Sequence, residues 1–163
     1  MMKDSVKIPE KRIKELRKHL RKVEELTNTK ILIKDDEIEI EGEDSLNVFK
    51  TKTILKAFGR GFDIETSLNL LDDDYRFELI DIREYAGKSE NRQKELKGRV
   101  IGKKGRIKSL IDEVTETKIS VYGKTIGIIG KWDRVQIARE AIELLLQGKM
   151  FETLYRFLEK KRI

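Results

Sequence analysis

The sequence predicts an α+β protein of two small tandem domains, joined by a helical connector and followed by a C-terminal helix. Three observations support this fold class. Apolar runs typical of strands lie between segments whose apolar residues have helical spacing. A set of residues repeats at an offset of 88 positions. A hydrophobic fraction of 38% with a charged fraction of 40% suits two small cores rather than one large core.

The repeat is clearest when residues 24–42 are aligned with residues 112–130 without a gap. The identical pairs in it include Thr27 and Thr115, Thr29 and Thr117, Lys30 and Lys118, Ile31 and Ile119, Ile38 and Ile126, Ile40 and Ile128, and Gly42 and Gly130. Farther out, the pairs are Ile13 with Ile101 and Ile54 with Ile142. The shared apolar pattern predicts two copies of one β-α-α-β-β-α unit.

The first copy is predicted over residues 1–58. Its elements are a strand at 5–8, a mostly continuous helix at 9–28 that Pro9 begins, strands at 30–33 and 37–42, and a closing helix capped by Asp44 or Ser45. The long helix is predicted because Ile13, Leu16, Leu20, Val23 and Leu26 lie on one stripe. A connector follows at 59–75, with a short helix that Asp63 can cap.

The second copy is predicted over residues 76–148. Its elements are a strand at 76–82, a helix at 89–101 capped by Ser89, a glycine loop, a helix at 106–116, strands at 118–122 and 125–130, and a helix at 132–148 with Asp133 as its cap. Gly148 ends the last of these helices. Residues 149–163 predict a C-terminal helix whose apolar face includes Met150, Leu154, Tyr155 and Leu158. Neither copy alone would bury much core, so we expect the two to pack together.

The composition excludes several classes of protein and site. The chain has no cysteine and a single histidine, His19, which excludes disulfides, thiolate metal sites and histidine clusters. No apolar run approaches the roughly 18 residues of a membrane-spanning helix, and no apolar core follows the basic residues at the start, as a signal peptide requires. We therefore expect a cytoplasmic protein that needs no cofactor, no metal and no membrane.

Positive charge is concentrated in the second half of the chain. Residues 1–87 contain 17 basic and 20 acidic side chains, a net charge of −3, whereas residues 88–163 contain 19 and 10, a net charge of +9. An excess of cations in one domain is typical of a domain that binds a polyanion. Basic solvated helix faces would explain the charge equally well if it stood alone.

The stretch "LKGRVIGKKGRIKSLI", residues 96–111, adds a specific feature to that charge. It holds six basic side chains and no acidic one, and Gly102 and Gly105 bracket two lysines in its middle. Glycine allows another backbone to approach closely, and the start of a helix presents free N–H groups to an anion. The stretch therefore predicts a phosphate-binding loop between two helices.

An enzymatic interpretation is not supported by the motifs. The spacing from Gly98 to Lys103 is G-x-x-x-G-K, one residue short of a nucleotide-binding P-loop, and Lys104 stands where Ser or Thr should follow. The run Asp72–Asp74 follows a predicted helix, and capping or solvating the connector explains it more simply than a metal site does. We expect a protein without catalytic activity.

Residues 99–123, "RVIGKKGRIKSLIDEVTETKISVYG", resemble a type I KH domain, the K-homology RNA-binding fold. The signature I-G-x-x-G is matched by Ile101–Gly105. Other stretches resemble the archaeal two-KH small-subunit ribosome assembly factors, the partner-of-Nob-one or Dim-two family. They are "AFGRGF" at 57–62, "LLDDDY" at 70–75, "ISVYGKT" at 119–125, "VQIAREA" at 135–141 and "YRFLE" at 155–159. The resemblance covers nearly the whole chain.

The resemblance implies binding of single-stranded RNA near the 3′ end of small-subunit (16S) rRNA during rRNA processing and ribosome assembly. It also implies contacts with the maturation endonuclease or with the alpha subunit of initiation factor two. The first copy departs from the family pattern, because no glycine occurs between Pro9 and Thr29 and Lys14–Arg17 stand where the glycine loop would be. We therefore expect the first copy to be a structural or protein-contacting domain.

The predicted RNA contacts combine the loop with an apolar groove beside it. Glycine loops of this kind clamp about four nucleotides, and a neighbouring strand can read base edges with its own N–H and C=O groups. No aromatic stacking platform lies beside the loop. The residues predicted to contact RNA are Arg99, Ile101, Gly102, Lys103, Lys104, Gly105, Arg106, Lys108, Ile111, Ile119, Ser120 and Val121.

Two alternatives are left open by the sequence. A protein-interaction scaffold in ribosome assembly or translation initiation would fit the acidic first half and its missing loop. A KH protein for other RNA, or for single-stranded DNA, would have the same loop, because contacts with the 2′-hydroxyl cannot be recognised in a sequence.

Overall fold

The computed structural model describes residues 1–162. Its helices and strands form two sets with the same order, apart from one additional short helix after the first strand of the second set. The first set is β1 (Met2–Lys7), α1 (Glu10–Arg17), α2 (Leu20–Thr27), β2 (Lys30–Lys34), β3 (Glu37–Gly42) and α3 (Ser45–Gly59), followed by α4 (Ile64–Leu68). The second is β4 (Tyr75–Asp81), α5 (Arg83–Ala86), α6 (Glu90–Ile101), α7 (Arg106–Thr115), β5 (Lys118–Tyr122), β6 (Thr125–Lys131) and α8 (Trp132–Leu146), followed by α9 (Phe151–Lys161). The chain divides into two units, Met1–Asp73 and Asp74–Ile163.

Each unit contains a three-stranded antiparallel sheet with the same topology. The strand orders are β1-β3-β2 and β4-β6-β5, so the last strand of each sheet is central and β2 and β5 are edge strands. In the central strand of the second sheet, Gly127 pairs with Leu79 on one side and Ser120 on the other. This order confirms the predicted α+β class and the predicted β-α-α-β-β-α unit.

The sequence repeat corresponds to one hydrogen-bonded corner that occurs in both units. Thr115 Oγ1 donates to the helix carbonyl four residues before it (2.6 Å) and lies 2.8 Å from Thr117 Oγ1. Thr27 and Thr29 make the same contacts at 2.7 Å each. The residue between each pair of threonines has a positive φ, 54° in one unit and 55° in the other. The shared threonines therefore end a helix and begin a strand in both copies.

Gly130 in β6 packs directly on this corner, which leads to a stability prediction. A Cβ at Gly130 would lie 2.8 Å from Thr117 Cγ2 and 3.4 Å from Thr117 Cα. Because neither strand can move away freely, we expect Gly130→Ala to lower the free energy of unfolding by about 1–3 kcal/mol, measured by urea denaturation.

Gly98→Ala is the matched control, since nothing lies within 4 Å of its Cβ position on the exposed surface of α6. It should raise stability by up to about 1 kcal/mol. Equal effects of the two substitutions would contradict this packing.

The helix that was predicted as mostly continuous over residues 9–28 is divided into two helices, because the chain turns between α1 and α2. The N–H groups of Lys18 and His19 donate three residues back, over 3.1 and 2.8 Å, and this tightens the backbone without glycine or proline. Val23 of the predicted stripe is buried in the second helix, and only the last position of the stripe differs from the prediction. Thr27 is buried there, whereas Leu26 is 53% exposed. The apolar stripe continues across the turn, so the sequence pattern does not show it.

The helix caps were predicted with one error. Asp63 and Ser89 each accept a hydrogen bond from an N–H in the first turn, as predicted, and Asp44 rather than Ser45 caps α3. Asp133 is not a cap, because β6 continues to Lys131 and α8 begins at Trp132 without a separating loop. Asp133 lies instead in the first turn of α8, where the positive end of the helix dipole stabilises a carboxylate. The short helix α5 was not predicted.

The core of the second unit includes the C-terminal helix. Leu154 and Leu158 of α9 are buried in the same apolar cluster as residues from β4, β6, α6, α7 and α8. Met150, Phe151 and Tyr155, which were also predicted on that face, are exposed. The predicted domain boundaries at residues 58, 75 and 148 stay a proposal. No helix within residues 1–162 is long and apolar enough to cross a membrane.

Candidate nucleic-acid interface

The glycine loop joins α6 to α7 at one end of the second unit. After α6, Gly102 changes the chain direction with φ 74° and ψ 174°, and Lys103–Gly105 form a single 3-10 turn before Arg106 begins α7. Gly102 N–H donates to Gly98 O over 2.8 Å, and Gly105 N–H donates to Gly102 O over 3.1 Å. These bonds hold the loop against the end of α6.

The two loop glycines are required for different reasons. A Cβ at Gly102 would lie 2.4 Å from Ile107 Cγ1 and 2.9 Å from Ile107 N, so this position is closed by the protein itself. Nothing lies within 4 Å of the Cβ position of Gly105, whose φ is 72°. Gly102 therefore serves the packing of the loop. Gly105 leaves open space in which the backbone of a ligand can approach.

The loop presents positive charge that no other group neutralises. Lys103 and Lys104 are exposed, and neither ammonium has a hydrogen-bond or ion-pair partner within the described part of the chain. Lys104 adopts φ 57° and ψ 27°, a left-handed conformation that costs a non-glycine residue about 1–2 kcal/mol. The N–H of Arg106, the first residue of α7, donates to Lys103 O, and no side chain caps the start of this helix. Two ammonium groups beside a helix start have the positive charge that a phosphate-binding site requires.

Arg99 was predicted to contact RNA, but its guanidinium is used within the fold. It donates to Leu145 O over 2.9 Å and to Lys149 O, and it lies 4.9 Å from the centre of the Phe151 ring. These contacts join α6 to the end of α8 and the start of α9. Arg99 therefore holds the C-terminal helix in place and is not available as a free cation beside the loop.

The apolar residues of the predicted groove separate into two groups. Ile111 and Ile119 are 0% and 4% exposed, so their side chains support the groove from below and do not face a ligand. Ile111 lies on α7 and Ile119 on β5, and both side chains belong to the apolar core of the second unit. The predicted contacts that keep partial or full exposure are Arg99, Ile101, Gly102, Lys103, Lys104, Gly105, Arg106, Lys108, Ser120 and Val121.

Asp112 is a site residue that the sequence analysis missed. Its Oδ2 lies 3.0 Å from Lys108 Nζ, and its Oδ1 is buried without a hydrogen-bond partner among the described residues. Burial raises the pKa of Asp112, and the Lys108 ammonium opposes that shift. The i, i+4 spacing of an acid and a base on one helix was the signal that could have identified the pair.

The raised pKa of Asp112 predicts a pH-dependent stability difference. When the pKa of a carboxyl group is higher in the folded protein than in the unfolded chain, the fold loses stability as pH rises from the lower pKa through the higher one. The charged form of Asp112 therefore destabilises the fold at pH 7. We expect Asp112→Asn to raise the free energy of unfolding at pH 7 by about 1 kcal/mol or less, and the gain to fade as pH falls towards about 4. Thermal melting of both proteins across this range measures it. A less stable variant at pH 7 would show that the Lys108 pair outweighs burial.

Arg134 is a second residue that the sequence analysis missed. Its buried guanidinium donates to Val114 O and Thr115 O, each over 3.2 Å, and lies 3.7 Å from a Glu116 carboxylate oxygen. A cation on the last carbonyls of a helix offsets their unpaired charge. Arg134 thus fixes the end of α7 opposite the loop. The corresponding residue of the first unit is Leu46, which is 53% exposed.

A β-α-α-β-β-α unit with an I-G-x-x-G loop between its first two helices defines a type I KH domain, and the second unit has both features. Comparison with known proteins agrees with this class. A family model described as a eukaryotic type KH domain (KH domain type I) matches residues 76–163. The chain belongs to the PNO1/Dim2 family of KH-domain proteins.

Three relatives illustrate this membership. A KH domain-containing protein of Methanocaldococcus jannaschii is 47% identical over 119 residues, which are 73% of this chain and 52% of the relative. The pre-rRNA-processing protein PNO1 of Gibberella zeae is 36% identical over 104 residues, 61% of this chain and 40% of the relative. A chain in the crystal structure of the a/eIF2alpha–aDim2p–rRNA complex from Pyrococcus horikoshii OT3 is 35% identical with a TM-score of 0.88, over 98% of this chain and 93% of that chain. This chain therefore spans about half the length, or less, of the first two relatives.

Proposed function

We propose that this protein binds single-stranded RNA near the 3′ end of small-subunit rRNA, during rRNA processing and ribosome assembly. One observation carries the proposal. The Gly102–Gly105 loop places two unpaired ammonium groups and the start of α7 around an open glycine position. The names of the relatives support the choice of RNA, since one is a pre-rRNA-processing protein and another was crystallised with rRNA.

In the proposed complex the loop binds the sugar-phosphate backbone and the groove holds the bases. The RNA strand reaches the protein backbone at Gly105, where there is no Cβ. Its phosphates receive hydrogen bonds from Lys103 and Lys104 and lie beside the positive start of α7. The bases then lie towards the partly exposed Ile101 and Val121 and the edge strand β5. Binding of this kind needs no catalytic group, and we propose a binding role without catalysis.

The protein partners are part of the proposal. The structure from Pyrococcus horikoshii contains a/eIF2alpha beside aDim2p, which supports the alpha subunit of initiation factor two as a partner here. The rRNA maturation endonuclease as a partner rests on the family resemblance. We assign the protein contacts to the first unit, since its turn at Lys18 and His19 has no glycine that would admit an RNA backbone.

The experiment that tests the proposal measures binding of three labelled oligonucleotides by fluorescence anisotropy. They are an RNA with the 3′-terminal sequence of small-subunit rRNA, a scrambled RNA and a single-stranded DNA of the same sequence. We expect the first to bind most tightly, with a log–log salt slope of about −2 for three phosphate contacts. Equal affinity for all three would contradict the rRNA assignment. Absence of binding to any of them would favour a protein-interaction scaffold.

A further inference from the structure

Lys108 and Asp112 form an ion pair on the side of α7 that faces the edge strand. The Asp112 carboxylate lies beside the N–H of Ile119 and within the electrostatic influence of Lys118, and both of these residues belong to β5. Lys108 precedes Asp112 by one helical turn and is bound to it at 3.0 Å. The pair therefore lies between the glycine loop and the edge of the sheet, where the proposed function places the bases.

The environment of Lys108 differs from that of the loop lysines. Lys103 and Lys104 are exposed without a partner among the described residues, as expected for cations that attract phosphates. The Lys108 side chain is only 33% exposed, and the neighbouring carboxylate cancels its charge. A neutral pair contributes little to the release of counterions from RNA. Its ammonium group instead provides hydrogen-bond donors whose position the carboxylate restricts.

We propose that Lys108, positioned by Asp112, reads one base of the bound RNA and selects guanine or uracil over adenine or cytosine. The inference rests on the proposed function. Lys108 has three N–H donors and uses one on Asp112 Oδ2, while Asp112 Oδ1 is buried, so the pair presents mainly donors to a ligand. Guanine O6 and uracil O4 accept from such a donor, whereas adenine N6 and cytosine N4 carry hydrogens at the same place.

Asp112 acts in this proposal as a positioning residue. A free lysine side chain samples many rotamers and follows the nearest phosphate, but an ammonium tied to a mostly buried carboxylate stays beside the groove. Burial disfavours the charged form of Asp112, so this carboxylate does not stabilise the fold. A role in positioning the Lys108 ammonium agrees with that. One well-placed donor facing the correct base corresponds to a discrimination of about tenfold.

The test uses a series of RNA oligonucleotides based on the 3′ end of small-subunit rRNA. Each differs from the parent at one position, where guanine is replaced by adenine or uracil by cytosine. Affinities are measured for the wild type, for the double variant Lys108→Met with Asp112→Asn, and for Asp112→Asn alone. The double variant removes the pair without changing the net charge. Lys104→Met serves as the control for simple loss of a phosphate contact.

For the wild type, one of the base replacements should lower the affinity about tenfold. The double variant should bind that oligonucleotide and the parent equally well, and the salt slope should be unchanged. Asp112→Asn should bind every oligonucleotide more tightly and discriminate less. Lys104→Met should weaken every oligonucleotide alike and make the slope shallower by about 0.7.

The proposal is overturned if the double variant keeps the discrimination, or if it changes all affinities and the slope as Lys104→Met does. It is equally overturned if the wild type binds the series without discriminating at any position. If the wild type binds none of the oligonucleotides, the proposed RNA-binding function fails, and this inference fails with it.

Discussion

Reversing the two loop charges should lower affinity for the rRNA 3′-end oligonucleotide by at least about a hundredfold. In the variant with Lys103→Asp and Lys104→Asp, two positive charges beside the proposed phosphate positions become negative ones, so attraction becomes repulsion. The fold should be retained, because both side chains are exposed and without partners in the described part of the chain. Aspartate also tolerates the left-handed backbone at position 104. Anisotropy titration measures the loss, and a thermal melt of the same sample confirms folding.

A charge-matched control separates the loop from general attraction. The variant with Lys160→Asp and Lys161→Asp makes the same change of net charge at the exposed end of α9. It should reduce affinity only by the severalfold that long-range attraction accounts for at physiological salt. Comparable losses in both variants would show that the RNA follows the charge of the whole unit and not the glycine loop.

Replacing Gly102 by alanine is expected to cause the largest stability loss of any change in the loop. Its φ of 74° with ψ of 174° is a conformation that is essentially restricted to glycine, and a Cβ would overlap Ile107 at 2.4 Å. The strain and the overlap together predict a decrease of about 2–4 kcal/mol in the free energy of unfolding. Urea denaturation followed by circular dichroism measures it.

Gly105→Ala is the matched comparison for Gly102→Ala. Its φ of 72° and ψ of 14° suit left-handed residues, and nothing lies within 4 Å of its Cβ position. The stability cost should be only about 1 kcal/mol. RNA affinity should still fall, because the new methyl group occupies the space through which the backbone of the RNA approaches. A Gly102→Ala protein as stable as Gly105→Ala would contradict the assigned roles of the two glycines.

Local patterns in the sequence predicted the elements and the loop well. The repeat at an offset of 88 residues identified both units, because the threonine corner that ends a helix and begins a strand needs the same residues each time. Ser89 and Asp63 were identified as caps from side-chain chemistry that acts within one helical turn. The glycine loop was predictable because two glycines that bracket two lysines between helical patterns are typical of a loop that admits a phosphate backbone.

Features that depend on distant contacts were not predictable in the same way. Arg99 was assigned to RNA from its charge, but carbonyl groups 46 and 50 residues away bind its guanidinium. Ile111 and Ile119 are apolar residues of the kind that line a groove, but both side chains are buried in the core of the second unit. The turn at Lys18 has no glycine or proline to indicate it. Two hydrogen bonds from an N–H group to the carbonyl three residues earlier are sufficient to form it.

The most direct test of RNA binding by the second unit is a two-dimensional NMR titration of the ¹⁵N-labelled protein with the rRNA 3′-end oligonucleotide. The amide signals of residues 102–107 and of β5 should shift most, because the proposed complex places the phosphates at the loop and the bases beside the edge strand. Signals of β1 and of α9 should change little. Shifts confined to the first unit or to the end of α9, with the loop amides unchanged, would contradict the assignment of RNA binding to the glycine loop.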